Sequence, residues 1–199
     1  MANVLVILAS SLQRLMLYEN AYGFSRLRTY THVFIFFLAA LIVVTIVLEL
    51  IRRRGHFALA LLVTILGFCA TLAFMNVDGF ITQKNITRAT AGEELDVPHL
   101  VSLSADSVPV LVENYLGKTT PKEVKDALGA TLACVTQLEP DPAEKTWQGF
   151  NLGVTNGYRL LQSNKAAWSQ YKLYGDGNRG WYYLDNGEEI NCNATDWMD

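Results

Sequence analysis

The sequence has few of the residues from which catalytic sites are built. It holds three histidines and three cysteines among its 199 residues, and they are too scattered for the ligand spacing of a zinc site. It has no Gly-x-Ser-x-Gly pattern, so no serine activated in that way is predicted. We therefore expect no catalytic residue, no metal site and no bound cofactor, and we expect the protein not to be an enzyme.

Positive charge is scarce in the second part of the chain. Residues 76–199 carry ten lysines and arginines against seventeen acidic residues, a net charge of −7. A nucleic-acid partner needs a basic surface, so we expect no nucleic acid, and no small-molecule ligand is identifiable. Residues 1–75 carry six arginines, no lysine and two acidic residues, a net charge of +4. The contrast predicts two regions in different solvents, lipid first and water second.

Ionisable side chains are almost missing from two long runs. Val33–Ile51 contains only Glu49, near its end, and Phe57–Met75 contains none. At about 1.5 Å per residue each run spans about 28 Å as a helix, close to the thickness of the hydrocarbon core of a bilayer. Neither run has the polar face that a helix of a soluble protein shows. The sequence therefore predicts a transmembrane hairpin, with helices over about 33–51 and 57–75.

A third apolar segment, residues 2–17, is interrupted by Gln13 and Arg14. A signal peptide would have basic residues before its apolar core, and here no charged side chain precedes Val4. We expect a short or tilted membrane helix, with Arg14 reaching to the membrane interface.

The connection between the first two helices supplies the candidate contact site. Its aromatic residues suit an interfacial belt and its arginines suit lipid headgroups. The possible interfacial or partner contacts are Tyr18, Tyr22, Arg26 and Arg28. Two interpretations stay open: an anchor in the membrane interface, or a functional contact with a lipid headgroup or a protein partner.

The tail is predicted to form a small helical domain over residues 76–171. Helix starts are expected at Asp96, Ser107 and Thr120, because each is a capping residue followed closely by a proline. A longer helix is expected over Trp147–Tyr171.

The C-terminal residues 172–199 are predicted to form a β-hairpin. Trp181–Leu184 is an aromatic strand, Asp185–Gly187 supplies an Asn-Gly turn, and Glu188–Cys192 completes the pair. The same aromatic string is similar to bacterial cell-wall-binding repeats, which work as tandem arrays. Cys192 can pair with Cys134 if the tail faces an oxidising compartment; two free thiols are the alternative.

Two features of the sequence indicate opposite topologies. The Arg52–Arg54 cluster lies in the shortest loop and predicts a cytoplasmic turn under the positive-inside rule. Five positive residues nevertheless flank the other membrane side: Arg14, Arg26, Arg28, Lys84 and Arg88. We favour the dense cluster, which places the tail outside the cytoplasm.

Several segments, in order and spacing, resemble a known family. They are residues 14–28, Asn76–Ile81, Asn85, Arg88, Leu95–Asp96, Leu100, Leu103–Pro109 and Trp147–Asn151. The chain resembles bacterial multi-pass membrane proteins of domain of unknown function 4173, from about residue 5 to 165. The resemblance implies a bacterial cytoplasmic membrane location and, since such proteins carry further helices, the C-terminal part or a short form of one. It implies no activity and no catalytic residue.

The expected fold is mainly α. Transmembrane helices, a hairpin plus one preceding helix, occupy residues 1–75, and a helical extramembrane domain with a C-terminal β-hairpin follows. The expected function is a membrane-anchored interaction or sensing module, with the lipid bilayer and other membrane proteins as partners. The alternatives are an envelope or cell-wall contact module and a fragment of a larger transporter-like protein.

Overall fold

The computed structural model describes residues 2–138, 151–171, 173–174, 181–183 and 189–192. The chain divides into two compact units, residues 1–77 and residues 78–199, where we had placed the division after residue 75. Each unit is built on helices, and the described residues are mainly helical.

The first unit contains three long helices. They are α1 (Ala2–Tyr22), α2 (Arg26–Leu50) and α3 (Phe57–Phe74), with a 3-10 turn at Arg54–His56 before α3. Within the described residues, two helices, α2 and α3, are long and apolar enough to cross a membrane. Almost none of their apolar surface is buried inside the protein. The predicted helix over residues 2–17 extends to Tyr22, but it is not among these two.

The α2–α3 pair is held together by interlocking aromatic rings. The Phe37 and Phe68 rings meet edge to face with centroids 6.0 Å apart, and Phe34 contacts Phe68 in the same way at 6.3 Å. Gly67 makes room for this contact, because a Cβ there would lie 2.9 Å from Cε1 of Phe37. Such rings contribute about 0.5–1.5 kcal/mol per pair beyond the area they bury.

In its described residues, the second unit is a helical domain with three short strands. Its elements are α4 (Val77–Thr90, whose first residue belongs to the first unit), α5 (Val97–Val101), a 3-10 turn (Ala105–Ser107), α6 (Val108–Leu116), α7 (Lys122–Leu138), α8 (Leu152–Asn164), a 3-10 turn (Lys165–Trp168), β1 (Leu173–Tyr174), β2 (Trp181–Tyr183) and β3 (Glu189–Asn191).

Helix α7 lies at the centre of this domain. Its residues from Ala127 to Val135 are all buried, which a helix tolerates only when neighbours cover more than one face. Leu128 and Leu132 are fully buried, as is Leu161 of α8. Trp168 is also buried, and its Nε1–H donates to Thr136 Oγ1 at 3.1 Å, which satisfies the one polar group of a large apolar side chain.

Helix α8 is shorter than the predicted helix over Trp147–Tyr171. It begins at Leu152, where the Asn151 side chain accepts from the backbone N–H of Gly153, and it continues as a 3-10 turn to Trp168. Residues 147–150 lie outside the described part of the chain. Gly157 lowers helix propensity, but a Cβ there would lie only 3.0 Å from the carbonyl oxygen of Ala105. The glycine is therefore required by close packing.

The predicted helix caps have mixed outcomes. Asp96 accepts from the backbone N–H of His99 at 2.9 Å, as expected. Ser107 takes the N-cap position of α6 with a proline in the first turn, as predicted, but its hydroxyl donates to the carbonyl of Ser104 and makes no capping bond. Helix α7 begins at Lys122, two positions after Thr120, whose hydroxyl donates to the carbonyl of Asn114. Hydroxyl groups often bond back to preceding carbonyls in this way.

The three short strands pair antiparallel in the order β1–β2–β3. Trp181 lies opposite Asn191, and Tyr183 lies opposite Glu189. The predicted Asp185–Gly187 turn lies outside the described residues, so the β-hairpin over residues 172–199 stays a prediction.

Candidate functional site

The candidate site of the first unit is built on the turn between α1 and α2. Gly23 has a φ of 79°, and its backbone N–H donates to the carbonyl of Glu19 at 2.9 Å. This left-handed residue ends α1 in the way that glycine commonly ends helices. The carbonyl of Gly23 accepts from Arg28 Nη1 at 2.5 Å. The turn is thereby fastened to the first turn of α2.

Three of the four predicted contact residues come together around this turn. The rings of Tyr18 and Tyr22 stack with centroids 6.2 Å apart, and the Arg28 guanidinium lies 5.9 Å from the Tyr22 centroid. Tyr22 is 74% exposed, so the cluster forms a surface. Arg26 is half-buried and begins α2. This combination of rings and cations is typical of a membrane–water boundary.

The sequence interpretation missed a buried acidic residue beside this cluster. The Glu19 side chain is only 5% exposed, and its Oε1 lies 2.9 Å from Nδ1 of His32. No donor within the described residues reaches Oε1 with hydrogen-bond geometry, so the close approach of the His32 imidazole, an ion pair when that ring is protonated, is the contact described for this oxygen. A buried carboxylate is costly unless it is compensated. Glu19 therefore holds the end of α1 against α2 through His32.

The sequence contains two weak indications of this pair. Glu19 is the one acidic residue before position 49, and His32 directly precedes the apolar run of α2. Thirteen positions and a turn separate the two, so no helical spacing relates them. Their meeting depends on the geometry of the Gly23 turn.

The second unit contains a disulfide. Cys134 of α7 and Cys192, just after β3, are joined with a Cα–Cα distance of 5.4 Å, across 58 positions of sequence. Both residues are buried. The bond therefore ties the last described residues of the chain to the central helix.

A cluster of two tyrosines lies on the α6–α7 side of the same domain. The Tyr171 hydroxyl donates to Asp126 Oδ1 at 2.9 Å, and the Tyr115 hydroxyl donates to the carbonyl of Ala167 at 2.8 Å. Burial raises the pKa of Tyr115, with Tyr171 opposing and Asp126 reinforcing the change. Burial also raises the pKa of Tyr171, opposed by Gln170 and reinforced by the Asp126 carboxylate. Both tyrosines are therefore held as neutral hydrogen-bond donors.

The described residues do not gather metal-ligating side chains. Among them, no three His, Cys, Asp or Glu side chains lie close enough to hold a metal ion. A Ser-x-x-Lys spacing occurs at Ser169 and Lys172. Ser169 is exposed and its hydroxyl donates to the carbonyl of Ala166, while Lys172 lies outside the described residues.

The fold and the site define a class: a pair of apolar helices compatible with membrane insertion, joined to a helical domain with its own core. The family model of a domain of unknown function (DUF4153) matches residues 1–114, more than half of the chain. The chain belongs to this family. The predicted membership in domain of unknown function 4173 was wrong, because the two families differ. No curated protein and no solved structure matches the chain significantly.

The corrected family changes what the resemblance implied. The matched range ends at residue 114, within α6, and not near residue 165. The bacterial location and the additional membrane helices were implied by the other family, and they lose that support. The matched range includes α1, α2, α3 and the Glu19–His32 pair.

Proposed function

We propose that the protein is a membrane-anchored interaction or sensing module without enzymatic activity of its own. In this proposal α2 and α3 cross a lipid bilayer as a hairpin, α1 is a short or tilted membrane helix, and the helical domain presents a surface to a partner. The observation that carries the proposal is the distribution of burial. The α2 and α3 helices leave their apolar side chains uncovered, whereas the domain from Asp78 onwards buries a core of its own.

Uncovered apolar helices of this length need lipid or protein around them. At roughly 25 cal/mol per Å² of apolar surface removed from water, exposing both helices to water would cost many kcal/mol. Single exposed apolar residues are ordinary, but continuous apolar surface indicates an interaction site. Phe36 is 71% exposed and Phe74 is 91% exposed, although a large apolar side chain of this kind is usually buried in a water-soluble protein. A bilayer covers such residues without any specific partner.

The disulfide favours one orientation. Disulfides persist in oxidising compartments and are rare in the cytosol. The Cys134–Cys192 bond therefore supports a tail outside the cytoplasm, which agrees with a cytoplasmic Arg52–Arg54 turn. The five positive residues on the other side oppose this, but they are spread over three segments. Tyr18, Tyr22 and Arg28 then lie at the outer membrane interface as an anchor for α1 and α2.

A pair of introduced cysteines tests the membrane hairpin and its orientation together. Lys118→Cys and Arg53→Cys both replace exposed residues, one in the tail and one in the turn, and each is made with Cys69→Ala. In intact cells, a membrane-impermeant maleimide should label Lys118→Cys and should label Arg53→Cys only after lysis. Labelling of both positions in intact cells would refute the spanning hairpin. The reverse pattern would keep the hairpin and refute the orientation.

The interaction role of the tail has its own test. If the second unit is an independent module, residues 76–199 produced alone should unfold cooperatively in urea with a helical circular dichroism spectrum. A non-cooperative transition would refute a separately folded tail. The envelope-contact alternative rests on residues 181–187, of which the structure describes only the β2 backbone, and it stays a prediction. The transporter-fragment alternative also stays a prediction.

A further inference from the structure

The end of α2 has an unusual residue at a position where glycine is usual. The backbone N–H of Arg53 donates to the carbonyl of Leu48, and that of Arg52 donates to the carbonyl of Glu49. These two bonds define a Schellman motif, whose penultimate residue adopts the left-handed conformation and is most often glycine. Here that residue is Arg52, with a φ of +56°. Among the described non-glycine residues it alone has a positive φ.

Placing an arginine there costs free energy. A left-handed residue with a Cβ costs roughly 1–2 kcal/mol relative to the right-handed region, and glycine would avoid this cost. A cation near a helix C-terminus contributes about 0.3–1 kcal/mol, which does not offset the strain in full. The adjacent Arg53 already places a cation at this end of α2. Position 52 therefore combines a positive charge with backbone strain.

The surroundings of the turn combine exposed cations with exposed apolar side chains. Arg52 and Arg53 are both exposed. Two positions before Arg52, Leu50 is 77% exposed, and directly after the 3-10 turn Phe57 is 44% exposed. Guanidinium groups form paired hydrogen bonds with phosphate oxygens, while apolar residues on either side suit acyl chains. In the proposed membrane hairpin this turn lies at the depth where a phospholipid has its phosphate.

We propose that the α2–α3 turn binds the headgroup of anionic phospholipids through Arg52 and Arg53. The inference rests on the proposed membrane hairpin and adds a ligand class to one end of it. The arginines contact the phosphate, and Leu50 and Phe57 contact the first methylenes of the lipid. The turn thereby selects anionic over zwitterionic lipid on the leaflet that it faces.

The test uses the full-length protein reconstituted into vesicles, with a tryptophan reporter at the turn. The fluorescence of Phe57→Trp is measured in vesicles in which either the phosphatidylcholine or the phosphatidylglycerol carries brominated chains. Bromine quenches tryptophan fluorescence on contact, so the two degrees of quenching report which lipid lies next to the turn. The signal of the unsubstituted chain, which has four tryptophans, is subtracted. Phosphatidylglycerol should be preferred at Phe57→Trp by about 25-fold, that is about fivefold for each arginine, and each replacement of an arginine by glutamine should lower the preference about fivefold. It should also weaken in high salt.

A second reporter at the other end of α3 is the matched control. Phe74→Trp should be quenched by both lipids, and its response should not change in the Arg52→Gln/Arg53→Gln variant. Equal quenching of Phe57→Trp by the two lipids would overturn the headgroup site while leaving the hairpin in place. A preference that survives Arg52→Gln/Arg53→Gln would also overturn it. Failure of both lipids to quench either reporter would overturn the membrane hairpin, and the headgroup site with it.

Discussion

The Glu19 carboxylate and the His32 imidazole form a largely buried polar contact in the first unit. The Glu19 side chain is almost fully buried and its Oε1 lies 2.9 Å from His32 Nδ1. Removing one partner of a buried polar pair leaves the other without compensation, whereas removing both can be nearly neutral. A variant that removes one partner therefore tests the contact, and a variant that removes both partners is its control.

His32→Ala should weaken the docking of α1 on α2 by roughly 1–3 kcal/mol, because it leaves the Glu19 carboxylate buried without its partner. Amide hydrogen exchange of residues 10–22 in nanodiscs measures this local opening. The double variant Glu19→Leu/His32→Leu should return the protection to within about 1 kcal/mol of the wild type. Unchanged protection in His32→Ala would show that the contact contributes nothing.

The tyrosine cluster of the second unit predicts a loss of stability at alkaline pH. The pKa of Tyr171 and the pKa of Tyr115 are both raised above the ordinary value of 10.0, chiefly by burial. The folded state thus holds these protons more tightly than the unfolded state. Their contribution to stability is complete below pH 10 and is lost as the pH rises above 10 towards the folded-state values.

Urea unfolding of the tail at pH 8, 9, 10 and 11, followed by near-ultraviolet circular dichroism, checks this dependence. Tyr171→Phe should lower stability at pH 8 by about 0.5–1.5 kcal/mol, because it removes the hydrogen bond to Asp126. The same variant should have a shallower decline between pH 10 and 11. A wild-type stability that stays constant over that interval would contradict the buried-donor interpretation.

At the scale of the elements, regular patterns were predictable and specific contacts were not. The two apolar runs predicted helices over about 33–51 and 57–75, because hydrophobicity along a helix is a local property. Helix α3 matches its run, whereas α2 begins at Arg26, seven positions before the predicted start. Hydroxyl residues favour helix starts, and Ser107 does precede α6, but the hydroxyls of Ser107 and Thr120 each donate to a preceding carbonyl. Which bond forms depends on the path of the preceding turn.

One part of the candidate site could likewise be predicted from the sequence, and another part could not. Tyr18 and Tyr22 are four positions apart in one helix and were predicted as part of the site from aromatic composition; their stacking follows from helical spacing. Glu19 contacts His32 across a turn whose left-handed residue, Gly23, sets the angle between two helices. A contact of that kind follows from the three-dimensional path of the chain, so residue type and spacing did not predict it.

The C-terminal turn of α2 gives a prediction at this scale. Arg52→Gly should raise the stability of the hairpin by up to about 1 kcal/mol, since relief of the left-handed strain exceeds the lost helix-dipole contribution. Thermal unfolding in detergent micelles measures the change. Arg53→Gly is the matched control: it removes the same charge from a residue without positive φ, and it should lower stability. Equal effects of both substitutions would exclude strain at position 52.

At the scale of the molecule, the two units are stabilised by different means. The hairpin of the first unit leaves its apolar surface uncovered, so in the proposed membrane setting its stability depends on the surrounding lipid. The second unit has a buried core around α7 and a covalent bond between α7 and the residue after β3. A change of lipid should therefore alter the stability of the first unit, and a change of redox conditions should alter the stability of the second unit.

The disulfide supplies the clearest test of that separation. Closing a loop of 58 positions stabilises the folded tail by about 4 kcal/mol in the chain-entropy description, because the cross-link restricts the unfolded chain. Cys134→Ala/Cys192→Ala should therefore shift urea unfolding of the tail by about that amount, and a reductant should produce a similar shift in the wild type.

The control is Cys69→Ala, which removes a free and exposed cysteine of α3 and should leave the tail transition unchanged. Hydrogen exchange of α2 and α3 should also stay unchanged in the double variant, because these helices belong to the other unit. If loss of the disulfide opened the α2–α3 hairpin as well, the two units would share one cooperative transition. A partner that bound the tail would then also change the stability of the membrane helices, and the module would be suited to sensing as well as to anchoring.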